Sequence, residues 1–376
     1  GVSPERQFPS LDKGLYLNHA AVAPWPRCTA DAVRQFAEEN ALDGPAEYRQ
    51  WIERENDLRR NLARMTGAAS GNDIALLKNT TEGISLVAWG IDWKKGDNMV
   101  LPAGEFPSNR LPWLAQEPLG VEIREIDIRA AENAESALLD AMDGNTRLLS
   151  VSAVQWSDGF RLDLARLGRA CHSGKALFFV DAIQQLGALP MDVEACHIDF
   201  LAADAHKWLL GPEGIAVFYC RKSARPRLRL LQQGWHMYDN PWNFHAGERK
   251  PSETARRFEA GSPNSLGQAA LHASVDLLLS TGMEQVSARI LRNTEYLISE
   301  LGRLPEIEVS SRTDDNRRSG IVSFRHGSIP SRRLHSQLAK SGITAAVRGD
   351  SIRLSPHYYQ GEAQLSRFIR ILERFR

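Results

Sequence analysis

Apolar residues along this chain fall into short blocks separated by stretches of helical periodicity. NDIALLKN, from residue 72, reads as a strand, and TTEGISLVAWGI behind it as a helix. DNMVLP and VEIREIDI are further strands; ESALLDAM is a helix leading into the strand TRLLSVSAV. LDLARLGRACHS is another helix, followed by the near-continuous apolar strand ALFFVD. Two more apolar blocks, HIDFLAAD and GIAVFYC, stand on either side of the turn Gly211-Pro212-Glu213-Gly214. Strands that do not alternate in polarity, separated by helices, predict a mostly parallel sheet covered on both faces.

The pattern changes near residue 265. Residues 266–303 read as long amphipathic helix, followed by EIEVSS, IVSFRH, a helix around SRRLHSQLAKSG and the pair ITAAVRGDSIRLS. Gly349-Asp350 sits inside that pair as a two-residue hairpin turn. The helix EAQLSRFIRILERF closes the pattern. The expected organisation is α/β: an N-terminal segment over 1–24, a large domain over 25–264 and a small α+β domain over 265–376.

Composition narrows the function. Lys plus Arg and Asp plus Glu are 46 each, so no net basic field draws the chain to nucleic acid. No apolar run approaches a membrane span, and GVSPERQFPSLDKGLYLNHA lacks the apolar centre of a signal peptide. Cys28, Cys171, Cys196 and Cys220 form no CxxC pair, which suggests neither zinc nor a disulfide framework. A reduced, cytoplasmic protein without a membrane or nucleic-acid partner is the expectation.

Candidate chemistry collects where strands end, the place where open parallel sheets bind ligands. AADAHKWLLGPEG (202–214) carries Lys207 into the junction of two apolar strands. A lysine there either keeps its head in solvent or sheds its proton to attack a carbonyl. Asn79-Thr80-Thr81-Glu82-Gly83 opens a helix, as a plain cap or as a seat for a phosphate. Asp181 ends ALFFVD, where a carboxylate caps the next turn or holds a proton on a ring nitrogen. Phe106, in GEFPSN, is a core residue or a flat surface against a ring. A lysine, an acid, a phosphate seat and an aromatic face are together what pyridoxal phosphate requires.

The chain resembles the class V aminotransferase family of pyridoxal-phosphate enzymes, which includes cysteine desulfurases, C–S lyases, isopenicillin N epimerase-like proteins and kynureninase. YLNHAAVAP, KNTTEGISLVA, VDAIQQLGALPMDV, AHKWLLGPEGI, RFEAGSPNSLG and SIRLSPHYYQGEAQL carry the resemblance, in order and over nearly the whole length. It implies a fold type I architecture, with a seven-stranded-type sheet and a small C-terminal domain. By the same likeness Lys207 forms the imine with the cofactor, and His206 is its phosphate-side neighbour. Asp181 pairs with the pyridine nitrogen, Gln184 contacts the ring hydroxyl, and Thr80 and Thr81 seat the phosphate. Phe106 stacks on the ring and Gln155 lies at ring and substrate. Ser262 reaches the phosphate from the other subunit of a homodimer. Arg353 pairs with the carboxylate of a small amino-acid substrate. His19 falls where the N-terminal segment approaches that substrate, and either contacts it or makes a structural hydrogen bond.

Three departures shape the expected activity. The stretch GITAAVRGDSIRLS lacks the cysteine that desulfurases carry before the carboxylate arginine. Phe106 stands where those enzymes stack a histidine, so Lys207 alone would move protons near Cα. Asp204 replaces a phosphate-binding Ser or Thr and is left out of the seat, because an anion beside a phosphate must turn away or be paired. These departures predict an aminotransferase or Cα/Cβ lyase working by α-proton removal, not a typical cysteine desulfurase. Desulfurase-like sulfur mobilisation from another cysteine, with Cys28 the one to test, and a non-catalytic binder of pyridoxal phosphate or an amino acid are the alternatives. The aromatic segment GWHMYDNPWNFHAGE (234–248) either lines the substrate mouth or packs at a dimer contact.

Overall fold

A computed structural model describes residues 4–245 and 247–375. Its strands are β1 (Leu15–Tyr16), β2 (Ile74–Leu77), β3 (Asn98–Pro102), β4 (Glu122–Ile126), β5 (Thr146–Ser152), β6 (Leu177–Asp181), β7 (Phe200–Asp204), β8 (Ala216–Cys220), β9 (Ile307–Val309), β10 (Val322–His326), β11 (Ile343–Thr344), β12 (Ala346–Arg348) and β13 (Ser351–Leu354). Seven of them form one sheet in the order β2-β8-β7-β6-β5-β3-β4. The five strands from β7 to β4 run parallel, and β8 is antiparallel to both of its neighbours. The expected parallel sheet is therefore present, with one reversed strand. The turn at Gly211–Gly214 is too short for a crossover helix, so β8 must return antiparallel.

Alternate residues of the strands face two apolar layers. Leu149, Val151, Phe178, Val180 and Leu201 enter one, and Leu148, Leu177, Phe179, Phe200 and Phe218 the other. The helix Thr80–Gly90 covers the second layer with Ile84, Val87 and Ala88. Gly83 lets it lie close: a Cβ there would come within 3.0 Å of the Phe218 ring and 3.1 Å of the Ala202 side chain.

The helical stretch expected over 266–303 is two helices, Ser265–Thr281 and Met283–Gly302, broken at Gly282, whose φ is 89°. The left-handed backbone there ends the first helix, a turn that glycine makes readily. The first of the two packs on the large sheet's core through Leu271, Val275 and Leu278. The second sheet has the order β12-β13-β10-β9, and Leu354, Phe324, Leu338 and Phe368 lie in its core. Gly349-Asp350 turns β12 into antiparallel β13, as the sequence predicts. β1 pairs with β11 in a separate two-stranded sheet, and Leu15, Leu17 and Ile343 join the apolar core of the second sheet.

Candidate active site

Strand register brings the candidate residues to one edge. Ser152 of β5 pairs with Asp181 of β6, and Asp181 with Ala202 of β7. Asp204 of β7 pairs with Ala216 of β8, and Leu77 of β2 with the same Ala216. The segments that follow β2, β3, β5, β6 and β7 therefore leave the sheet on the same side. They carry Thr80, Phe106, Gln155, Asp181 and Lys207.

Lys207 is partly buried, with its Nζ 5.6 Å from the centroid of the Phe106 ring. Burial, then the guanidinium of Arg353 and more weakly that of Arg348, push its ammonium down to about 8, against the pull of Asp181 and Asp204. A lysine so placed holds a reactive free amine at a pH where an exposed one does not. Asp181 is 2% exposed. Burial pushes its carboxyl up to about 7, and Glu105 and Asp204 add to that. The N–H of Ile183, donating to Oδ1 at 3.1 Å, and Lys207 act in the other direction. A cationic ring nitrogen brought against this acid would favour its charged form.

Arg353 is 1% exposed, and among the described residues its side chain makes one hydrogen bond, donating from Nη1 to the Trp156 carbonyl at 2.6 Å. Its Nε and Nη2 are buried without partners among the described residues. Burial and the neighbouring Arg348 push its guanidinium down to about 9. Arg348 itself lies 6.0 Å from the Trp156 ring and forms no ion pair among the described residues. Trp156 in turn meets Phe106 edge to face at 5.6 Å. Lys207, Phe106, Trp156, Arg348 and Arg353 thus lie together, with two guanidinium groups that form no ion pair among the described residues beside a lysine.

Other expected residues are placed differently. Thr80 donates its N–H and its hydroxyl to Asp204, and Thr81 donates its hydroxyl to Ser108. Asp204, left out of the seat on sequence grounds, is thus aimed into it and paired there. Gln184 donates to the Ala20 carbonyl at 3.1 Å and accepts from the Trp208 indole at 2.9 Å, so its carboxamide is largely committed to packing the site floor. His19 is buried with both ring nitrogens engaged, Nδ1 with the Ser355 carbonyl at 2.8 Å and Nε2 with the Tyr359 hydroxyl at 2.6 Å. Burial and the adjacent His357 hold it well below the usual histidine range. His19 thus links the N-terminal segment to the C-terminal part, in keeping with the structural hydrogen bond that the sequence allowed. Ser262 is exposed, in a loop beside Lys78 and Glu82. Gln155 is fully buried; its Nε2 donates to Glu105 at 3.0 Å, and its Oε1 has no partner among the described residues. His206 Nδ1 is likewise unpartnered, 3.7 Å from Asp204. Burial lowers the His206 imidazole, and Asp204 opposes that.

Sequence reasoning missed Glu105 and Arg348. Glu105 is 4% exposed and accepts from the Ser152 N–H at 2.8 Å, the Ser152 hydroxyl and Gln155. Burial raises its carboxyl despite those bonds. A carboxylate directly behind an apolar strand and next to Phe106 was the available signal.

A family model described as aminotransferase class-V matches residues 15–370. A probable cysteine desulfurase of Methanothermobacter thermautotrophicus is 30% identical over 96% of this chain and 94% of its own length. A solved structure described as a C-DES mutant with glycine covalently linked to the PLP cofactor superposes with a TM-score of 0.90 at 26% identity, covering 98% of both chains. Another, the cystine C–S lyase C-DES with its reaction product cysteine persulfide, gives a TM-score of 0.89 at 26% identity over 97% of this chain and 99% of that one.

These likenesses confirm the fold type I architecture and correct one expectation. The missing cysteine near Arg353 and the Phe106 substitution had set the chain apart from typical cysteine desulfurases. Full-length similarity to proteins named as a desulfurase and a C–S lyase overturns that separation. A C–S bond can be cleaved by elimination at Cβ, so the absence of one thiol does not exclude such chemistry. Over nearly its whole length, in fold and in motif order, this chain belongs to the class V aminotransferases, a family of pyridoxal-phosphate enzymes.

Proposed function

We propose that this protein is a pyridoxal-phosphate C–S lyase of the cysteine desulfurase kind, acting on a small sulfur-containing amino acid. The observation that carries this reading is Arg353. Its buried guanidinium presents two unpartnered N–H groups beside a lysine of lowered pKa, a geometry suited to gripping an α-carboxylate. The donor set also suits the cofactor. Lys207 would anchor it, Asp181 would meet the ring nitrogen, Phe106 would lie against the ring, and Thr81 and His206 would help to seat the phosphate. When bound, pyridoxal phosphate supplies an electron sink for bonds at the substrate's Cα and Cβ.

The chain's own residues do the rest. Arg353 fixes the carboxylate, and with it the direction in which Cα faces Lys207. The Lys207 amine takes the α-proton and can return it to the departing group or to carbon. Asp181 would keep the ring nitrogen of a bound cofactor protonated. Phe106 and Trp156 cover the mouth with apolar surface and limit water. Arg348, a second cation without an acid partner among the described residues, favours a substrate with two anionic groups, as a disulfide-linked amino acid has. Ser262 would complete the phosphate site of a second copy, making the active form a homodimer.

Purified protein supplied with pyridoxal phosphate is tested with L-cysteine, L-cystine and non-sulfur amino acids, following sulfide, persulfide, pyruvate, alanine and keto acids. Sulfur release from cysteine or cystine is expected. Keto acid from alanine or glutamate, with no cleavage of either sulfur substrate, would sink the proposal in favour of transamination.

A further inference from the structure

The turn into the helix Thr80–Gly90 is where a phosphate is expected, and a carboxylate is built into it. Asp204 Oδ2 accepts the Thr80 N–H at 3.0 Å and the Thr80 hydroxyl at 2.8 Å, while the Asp204 N–H donates to that hydroxyl oxygen at 3.0 Å. Both residues are buried, Asp204 at 8% and Thr80 at 2% exposure. The first amides of a helix are its strongest anion-binding groups, and here one already holds an acid.

The surroundings offer that acid little compensation. Its own strand end supplies His206, whose unpartnered Nδ1 is 3.7 Å from Oδ1, and Lys207. From β6 it faces another acid, Asp181. Glu213 approaches His206 from the following turn. On the helix itself Glu82 folds back to accept the Lys78 N–H at 2.9 Å and brings no cation.

We propose that Asp204 is a counter-charge built into the phosphate seat, which weakens the hold on the cofactor and couples its binding to uptake of a proton. This rests on the reading that pyridoxal phosphate binds at Lys207. A carboxylate and a phosphate dianion at one helix end repel each other. The repulsion is relieved when a proton is taken up, either between the two anions as a charge-assisted hydrogen bond or on His206. Affinity for the phosphorylated cofactor should therefore fall as pH rises above the second phosphate pKa of about 6. Pyridoxal, which has no phosphate, should be indifferent to Asp204.

The test measures dissociation constants for pyridoxal phosphate and pyridoxal by tryptophan fluorescence, and proton uptake by calorimetry in two buffers. The wild-type chain, Asp204→Asn and Asp204→Ser are compared at pH 6.5 and 8.5. At pH 8.5 both variants should bind pyridoxal phosphate about tenfold more tightly, the equivalent of one pKa unit of like-charge interaction. The gap should narrow at pH 6.5, proton uptake should fall, and pyridoxal affinity should not change. Equal or weaker binding of pyridoxal phosphate by both variants at pH 8.5, or an equal change for pyridoxal, would show that Asp204 only braces Thr80. Borohydride trapping separates the two levels. If the wild-type chain traps the cofactor on Lys207 while the variants bind no better, the inference alone fails; if no form traps it there, the cofactor reading fails as well.

Discussion

Arg59 and Arg353 are buried to nearly the same degree, 8% and 1% exposed, in different regions of the molecule. Arg59 lies beside β2. It donates from Nη1 to Glu259 at 2.6 Å and to the Ile74 carbonyl at 2.8 Å, and from Nη2 to Glu259 and Glu55, both at 2.7 Å. Burial works against its charge, yet Glu259 and Glu55 more than offset that and hold it above its ordinary value. Arg353 has one carbonyl for three donor nitrogens, and a second arginine for a neighbour. A buried cation whose two terminal nitrogens are both held by carboxylates holds a structure together. One with two nitrogens left unpartnered among the described residues is free to meet a group from outside the chain.

That contrast can be broken at four points, taken from the largest expected effect to the smallest. Lys207→Ala should lower turnover about ten-thousandfold, since it removes both the cofactor's anchor and the proton carrier, while the melting temperature stays near that of the wild type. A variant with more than about a tenth of wild-type turnover would move the chemistry elsewhere.

Arg59→Ala should be the reverse case. It leaves two buried carboxylates without their cation and should cost about 3–5 kcal/mol of stability in urea melts, with kinetics per folded molecule unchanged. Arg353→Met, by contrast, removes a poorly paired charge and should leave stability the same or improved. Equal destabilisation by the two substitutions would erase the distinction.

Asp181 tests the same idea through pH. Its folded value is raised to about 7, from an unfolded value near that of a free carboxyl. The folded protein thus binds the extra proton, and the stability this confers is present below about pH 4 and lost as pH rises through about 7. In the cofactor-free protein, Asp181→Asn should therefore match the wild type near pH 4. It should be more stable by about 2–4 kcal/mol at pH 8.5. Identical stability of the two proteins at pH 8.5 would show that Asp181 is better solvated than its burial implies.

The smallest effect is expected from Arg353→Lys, which keeps the charge but loses the planar fork. KM should rise about tenfold to a hundredfold, or about 1.5–3 kcal/mol, with kcat less affected. A selective loss of kcat would mean that Arg353 acts at a later stage than substrate capture.

Much of this was legible before any tertiary structure. Unalternated apolar strands predicted the sheet, and hydrophobic blocks ending in Asp181 and Asp204 showed where ligand-facing edges would lie. Lys207 stood out because an ammonium between two buried strands needs a reason. Such features are local: side-chain period, strand length and the residue behind a strand are all properties of neighbouring positions. The helix break at Gly282 was locally encoded too, but a single glycine inside a strong amphipathic pattern is easily read through.

What only the tertiary structure decided is which polar atoms find partners. Thr80 and Asp204 are 124 positions apart, and nothing near either predicts that they satisfy each other. His19 meets Ser355 and Tyr359 across 336 and 340 positions, which gives both of its ring nitrogens the structural partners that the sequence left open. The same holds for Glu105 beneath Gln155 and for Arg348 beside Arg353. Residue type determines what a group can donate or accept, and the sequence states that completely. Whether a buried group is already satisfied, and so structural, or still open, and so functional, depends on packing between distant segments that only the folded chain brings together.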